Sequence, residues 1–240
     1  MIFVTSWDDG HPLDEKLAEL LERRRFSGTF FVPNRNSEGP PVIGASALRA
    51  LSTRHEIGSH TLDHIYLHGI PREVVRRQVC DGKAALENLL GRAVTGFCYP
   101  GGRYDDETVS IVRAAGFTFA RTVENLVTDR PQDPYRVPTT LQFYPHRRRV
   151  LTRSLLRYGS RLHKSGLYWR LLRDDSLEGQ LRLAAHYAQT HSGVLHVWGH
   201  SWEIEKLGLW GALERFLEWL VDLAPAADTI GSLLGSARPQ

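Results

Sequence analysis

Two short stretches of this 240-residue chain carry residues able to do metal chemistry. The first is Asp8-Asp9, reached from the apolar run Met1 to Val4 through Thr5-Ser6-Trp7 and followed by Gly10. Adjacent carboxylates at the end of a buried strand repel each other unless a cation or a shared proton relieves them. Asp-Gly is also ordinary turn chemistry, so the pair alone does not decide. The second stretch is His60-Thr61-Leu62-Asp63-His64, two imidazoles four residues apart after Glu56-Ile57-Gly58. Asp9, His60 and His64 together make a two-histidine, one-carboxylate set. Such a set suits Zn²⁺, and also Co²⁺, Ni²⁺, Mn²⁺ or Fe²⁺, and leaves positions open for water. The two histidines fall on one side if the segment takes a helical turn. Thr61 stands where the zinc-peptidase motif His-Glu-x-x-His carries its glutamate base, so a base must come from elsewhere, and Asp8 is the candidate.

Three further stretches bear on the same chemistry. His196 and His200 have equal parity along the apolar run from Val194, so both point to one face. His200 sits at the loop end, with Trp202 and Glu203 close behind it, and is the catalytic candidate. His196 lies deeper and reads as a hydrogen-bonded core histidine. In Tyr99-Pro100-Gly101-Gly102 the small residues allow backbone N–H groups to approach a substrate oxygen, although a plain turn has the same composition. Arg121, at another strand end, reads as a surface arginine or as the partner of a site carboxylate.

The elements that must position these residues alternate. Leu13 to Arg25 has a one-sided leucine pattern and reads as a helix. Thr29 to Val32 reads as a strand, and Ser46 as the cap of a short helix reaching Leu51. Pro71 opens and Gly91 closes a helix over Arg72 to Leu90. Ala93 to Tyr99 and Phe117 to Ala120 read as strands, with a helix from Asp105-Asp106 to Ala115 between them. Val150 to Leu162, Leu177 to Thr190 and Leu209 to Leu223 have helical spacing, and the tail from Ala224 has little signal. This alternation marks an α/β fold with a mostly parallel sheet or barrel. Its polar residues gather where strands give way to loops, the edge on which α/β proteins build their sites.

Composition narrows the class. The length fits one α/β domain over residues 1–240, and no stretch of ~18 apolar residues exists to span a membrane. The two cysteines, Cys80 and Cys98, make no disulfide framework. No basic-then-apolar leader precedes the first strand, so a cytoplasmic location is expected, with attachment to the membrane surface as an option. Net charge is +3 but unevenly spread. Gln142 to Arg173 lacks any acid and holds nine basic residues, among them Arg149, Arg153, Arg157 and Arg161 at intervals of four. This predicts a basic helical insertion at about 143–175, with one positive stripe that docks an anionic ligand (phosphate-bearing or lipid-linked) or a membrane surface. Nothing matches a base-reading module, so nucleic acid is not expected as a partner.

Taken together, the chain resembles the polysaccharide deacetylases, carbohydrate esterase family four, of the chitooligosaccharide-deacetylase-like kind. Their Thr-Phe-Asp-Asp-Gly is similar to Ser6-Trp7-Asp8-Asp9-Gly10, and their His-Ser/Thr-x-x-His is met in full by His60 to His64. Their Arg-x-Pro-Tyr-Gly is partly met by Cys98-Tyr99-Pro100-Gly101-Gly102, and their closing Leu-x-His is similar to the end of Val197-Trp198-Gly199-His200. The resemblance implies a distorted (β/α) barrel of about seven strands. It implies Asp8 as general base, Asp9, His60 and His64 as metal ligands, zinc foremost, and His200 as general acid. It also implies that the Gly101 N–H holds the oxyanion, with Tyr99 and Pro100 beside it. The implied reaction is hydrolysis of the N-acetyl group of an amino sugar to acetate. A metal-independent relative acting on a cyclic amide or ureide, or a non-catalytic carbohydrate-binding barrel, is the alternative. Two departures stand out. The family's third-motif arginine is Cys98 here, with Arg121 as its candidate replacement. The Asp-x-x-Asp-Trp that orients the catalytic histidine is missing, with Glu124 or Glu203 as candidates.

Overall fold

The computed structural model describes residues 1–146, 148–157, 161–223 and 225–235. The order is β1 (Ile2–Trp7), α1 (Asp14–Arg23), β2 (Thr29–Val32), α2 (Ala45–Leu51), β3 (Glu56–Ser59), α3 (Arg72–Leu90), β4 (Gly96–Cys98), α4 (Asp106–Ala114) and β5 (Phe119–Arg121). There follow β6 (Leu141–Gln142), α5 (Arg148–Arg157), α6 (Arg161–Leu171), α7 (Leu177–Thr190), β7 (Val194–Gly199), α8 (Ser201–Lys206), α9 (Trp210–Asp222), β8 (Ala226–Asp228) and α10 (Ile230–Gly235). Seven strands pair in parallel in the order β5-β4-β3-β2-β1-β7-β6 and form a half-barrel with the helices around it. β8 joins the first half of β1, from Ile2 opposite Ala226 to Val4 opposite Asp228, while β2 pairs with Ser6 and Trp7.

Parallel strands covered on both faces are apolar throughout rather than alternating. Accordingly Thr29, Phe30, Phe31 and Val32 of β2 are all buried, as is β1 from Phe3 to Trp7. The helices cover them with one face each: α1 buries Leu17, Leu20 and Leu21, and α9 buries Leu213, Phe216, Leu217 and Leu220. Helix ends follow local chemistry. Asp105 caps α4 by accepting from the Thr108 N–H at 2.8 Å, and Gly91 closes α3 at φ +68°.

Four expectations change. Gly44, not Ser46, precedes α2, and no side chain caps it. The tail forms β8 and α10, anchored by buried Ile230 and Leu233, elements too short to show a period. β6, a two-residue strand beside β7, gives no sequence signal for the same reason. The expected helix over Val150 to Leu162 is two helices, α5 ending at Arg157 and α6 beginning at Arg161. The two lie side by side, with the Thr152 and Tyr168 hydroxyls 2.9 Å apart, a contact that one continuous helix could not make.

The single positive stripe is therefore divided. Arg147 and Tyr158 lie outside the described residues, as do the side chains of Arg157, Arg161 and Leu162. Lys164 is not displayed at all: it is 1% exposed and meets Glu124 at 2.7 Å. Arg148 pairs with Asp175, which leaves Arg149 and Arg153 as exposed cations of α5. Among the described residues no helix is long and apolar enough to cross a membrane.

Candidate active site

The site grows from the C-terminal ends of β1, β3, β4, β5 and β7. β1 and β7 run in register from Ile2 opposite Val194 to Trp7 opposite Gly199, and the Asp8 N–H donates to the Gly199 carbonyl at 3.0 Å. That pairing brings the Asp8-Asp9 turn beside His200. The turn needs left-handed backbone at Asp9 (φ +76°) and Gly10 (φ +57°). A Cβ at Gly10 would also stand 2.6 Å from the Val32 side chain, so only glycine fits there. After β3, the chain curls through Thr61 (φ +70°) and His64 (φ +54°). No helical turn brings the two histidines together, as the spacing had suggested. The left-handed residues do, at a cost of about 1–2 kcal/mol each for a residue with a Cβ.

One donor atom each from Asp9, His60 and His64 lies within 4.8 Å of the others. The His64 Nε2 is 3.1 Å and the His60 Nε2 3.7 Å from Asp9 Oδ1. His60 Nδ1–H donates to the Cys98 carbonyl at 2.9 Å. A carbonyl only accepts, so this bond fixes the tautomer and turns a bare Nε2 into the cluster. Burial pushes the His60 pKa down to about 4, which keeps the ring neutral as a ligand requires. Burial works against charge on Asp9 too, but His64, His200 and His60 hold its carboxyl below the ordinary range. Trp202 Nε1–H donates to Asp9 Oδ2 at 2.8 Å, the oxygen that His60 and His64 do not face. Burial opposes charge on His64, but its bond to Asp9 outweighs that and raises its pKa, so a metal ion would displace a proton there. Two imidazoles and an oriented anionic carboxylate are a donor set for a transition-metal cation rather than for Mg²⁺ or Ca²⁺.

Asp8 is held differently. Arg121 Nη2 donates to both of its oxygens, and the Cys98 thiol lies 3.8 Å from Oδ2. Cys98 of β4 and Arg121 of β5 are register partners, so an arginine one strand over reaches the same carboxylate. Arg121 is fully buried, with its guanidinium 4.7 Å from the Trp198 ring centre and 5.4 Å from that of Phe31. Burial raises the Asp8 pKa, but Arg121, His60 and His200 outweigh it and the net shift is downward.

His200 Nδ1–H donates to Glu203 Oε2 at 2.5 Å, and its Nε2 lies 4.0 Å from Asp9 Oδ2. Burial opposes charge on this ring, yet Glu203, Asp9 and Asp8 raise its pKa to about 9. Gln142 donates to the same Glu203 oxygen at 3.0 Å. Glu124, the other candidate for orienting His200, is taken by Lys164 instead. His196 is elsewhere, accepting from Ser6 Oγ at 2.9 Å and donating through Nδ1 to the Pro138 carbonyl at 2.9 Å.

Pro100 to Gly102 form a tight turn with Gly101 at φ +58°. Its bonds run from Gly102 N–H to Tyr99 and from Arg103 N–H to Pro100, so the Gly101 N–H stays outside them. Tyr66 lies across Gly101, where a Cβ would stand 2.6 Å from the ring. The Tyr99 side chain points away into the core, stacked on Tyr104 and bonded to the Tyr135 carbonyl. Asp14, at the first turn of α1, was not singled out by sequence, because acids are ordinary there. It is wholly buried, accepts from Ser201 Oγ at 2.6 Å, and burial pushes its carboxyl pKa well up.

Residues 2–120 match the family model described as polysaccharide deacetylase. YxkH of Bacillus subtilis (strain 168) is 32% identical over 134 residues, 55% of this chain and 48% of that protein. The peptidoglycan-N-acetylglucosamine deacetylase of Bacillus cereus is 26% identical over 118 residues, 48% of this chain and 54% of the relative. The chain thus spans about half the length of the curated relatives it matches. Among solved structures, a family 4 acetyl xylan esterase from Clostridium thermocellum, in complex with a cobalt ion, superposes with TM-score 0.62 at 14% identity, covering 98% of this chain and 91% of the other. The T48 deacetylase with substrate gives 0.59 at 16% identity, covering 99% and 92%. At these identities the superpositions speak for the fold.

Proposed function

The chain belongs to the polysaccharide deacetylase family, and from that premise we propose that it is a metal-dependent hydrolase removing the N-acetyl group of an amino sugar. The observation that carries the proposal is the convergence of Asp9, His60 and His64 donors within 4.8 Å, flanked by Asp8 and His200. A divalent cation held by those three residues would acidify water and polarise the acetamide carbonyl. Asp8 accepts the proton of the attacking water. Arg121 keeps Asp8 ionised at every working pH, and the lone pairs Arg121 leaves free remain for that proton. The same ion pair makes Asp8 a weak base, so the water must be acidic before Asp8 can take its proton. The Gly101 N–H donates to the oxygen that gains charge as the carbonyl becomes tetrahedral. His200, kept protonated by Glu203, gives its proton to the leaving nitrogen, so that acetate and a free amine result.

The test pairs elemental analysis with acetate release from a panel of N-acetylated sugars. One equivalent of a transition metal in the wild type, and a large loss in His64→Ala, is the expected result, because three protein ligands leave none to spare. Full metal content in His64→Ala would remove the basis of the assignment. Asp8→Asn is expected to keep the metal and lose turnover.

A further inference from the structure

Beside the Gly101 turn, and sharing that residue with the proposed oxyanion position, lies a cleft of about 260 Å³ to which the chemistry above assigns no ligand; its lining includes Gly101, Asn125, Gln142, Arg153, Ser154 and Trp198. This is well above the ~30 Å³ share of one water molecule, so it admits a substituent of a sugar. Its charge is one-sided: Arg153 is the one ionised group among the described lining residues, and Gln142 Oε1 adds only a neutral acceptor. Trp198 Nε1–H and Thr139 Oγ1 both bond to Asn125 Oδ1, at 2.9 and 2.7 Å. The indole N–H can only donate, so the amide orientation is fixed, and the Asn125 NH₂ has no acceptor among the described residues. Arg153, exposed on α5, has no acidic partner among the described residues. No carboxylate lines the cleft. The amide of Gln142 is anchored through its Nε2 to Glu203, the residue that holds His200, so the cleft and the acid side of the site share a wall.

A guanidinium, an amide NH₂ and a hydroxyl facing one space with no acid to neutralise them make a receptor for anionic oxygen. We propose that this cleft binds a carboxylate or phosphate carried by the N-acetylated sugar, and that Arg153 is the specificity-determining residue for it. The inference rests on the deacetylase reading for the identity of the sugar, not for the binding of the anion.

The experiment compares wild type with Arg153→Gln, using three disaccharides. Di-N-acetylchitobiose is neutral, its 1-phosphate carries a phosphate, and N-acetylglucosaminyl-N-acetylmuramic acid carries a carboxylate. Calorimetric Kd and acetate release are both read. Arg153 is exposed, so an unchanged Tm is expected in the variant. The proposal expects wild type to prefer at least one charged probe. Arg153→Gln should weaken that probe roughly tenfold, remove its salt dependence and leave the neutral one unchanged. Arg153→Lys should recover part of the loss. Which charged probe responds identifies the anion. No preference for a charged probe in wild type, or equal effects on all three in the variant, overturns the proposal. Acetate release without charge preference leaves the deacetylase reading standing and this one fallen. Charge-selective binding lost in Arg153→Gln, with no acetate from any probe, does the reverse.

Discussion

The body of β7 and its C-terminal edge hold the same residue type four positions apart and drive it in opposite directions. His196, 2% exposed, is bonded to a hydroxyl and a carbonyl, and burial lowers its pKa to about 3, with Arg121 adding to the effect. His200 is less deeply buried, its side chain 17% exposed, and Glu203 and Asp9 more than offset the burial it has and raise its pKa to about 9. Burial alone does not decide whether a histidine is held charged or neutral. The charge on its hydrogen-bond partner does, and on this strand carboxylates meet only the edge.

The comparison breaks most visibly under substitution. His200→Ala is expected to lower the rate of acetate release by roughly 10²–10⁴-fold, the usual worth of a general acid, with the fold retained. His196→Gln should do the opposite, costing about 1–3 kcal/mol of stability through its buried bonds while the rate falls less than tenfold. Acetate release and denaturant unfolding on both variants check this. Equal rate losses would mean that the two histidines belong to one catalytic unit.

Removing the carboxylate sharpens the contrast. Glu203→Gln keeps a hydrogen-bond acceptor for His200 Nδ1 but not the negative charge. The His200 pKa then falls from about 9, and the basic limb of the pH–rate profile moves to lower pH. Activity should drop roughly tenfold near pH 8 and less at pH 6, where the ring remains protonated. A basic limb that stays in place would show that Glu203 does not set the acid.

The edge of the sheet was more legible in the sequence than the contacts across it. Asp8, Asp9, His60 and His64 were readable because each pair lies within a few residues of a strand end. α7 and α3 were readable because their apolar faces recur over three or more turns. The bond from Arg121 to Asp8 was readable only as an option, since it depends on Cys98 and Arg121 being opposite in the ladder, a matter of register. Trp202 reaching Asp9 joins residues 193 apart, and choosing Glu203 over Glu124 required knowing that Lys164 turns inward. No periodic pattern carries such information. The left-handed residues Asp9, Thr61 and His64 were hidden for another reason: none is glycine, and the strain they bear is set by the surrounding packing.

The smallest expected effect concerns stability against pH in the chelated protein. The folded pKa of His200 lies above the ordinary 6.5, so its stabilisation is fully present below pH 6.5 and is lost as pH rises through about 9. That of His196 lies below 6.5, at about 3, so its stabilisation is present above pH 6.5 and is lost as pH falls. One proton can give a slope of no more than about 1.4 kcal/mol per pH unit. Relative to wild type, the stability deficit of His200→Ala should therefore shrink as pH climbs from 6.5 to 9, whereas that of His196→Gln should shrink as pH drops from 6.5. Unfolding curves across that range check the two signs, and deficits that run in parallel would count against the assignment of opposite environments. Adding Zn²⁺ refines the test. Positive charge on Asp9 weakens its pull on His200, so the His200 window should move to lower pH on metal addition. His196, held by Ser6 and Pro138 rather than by Asp9, should keep its window.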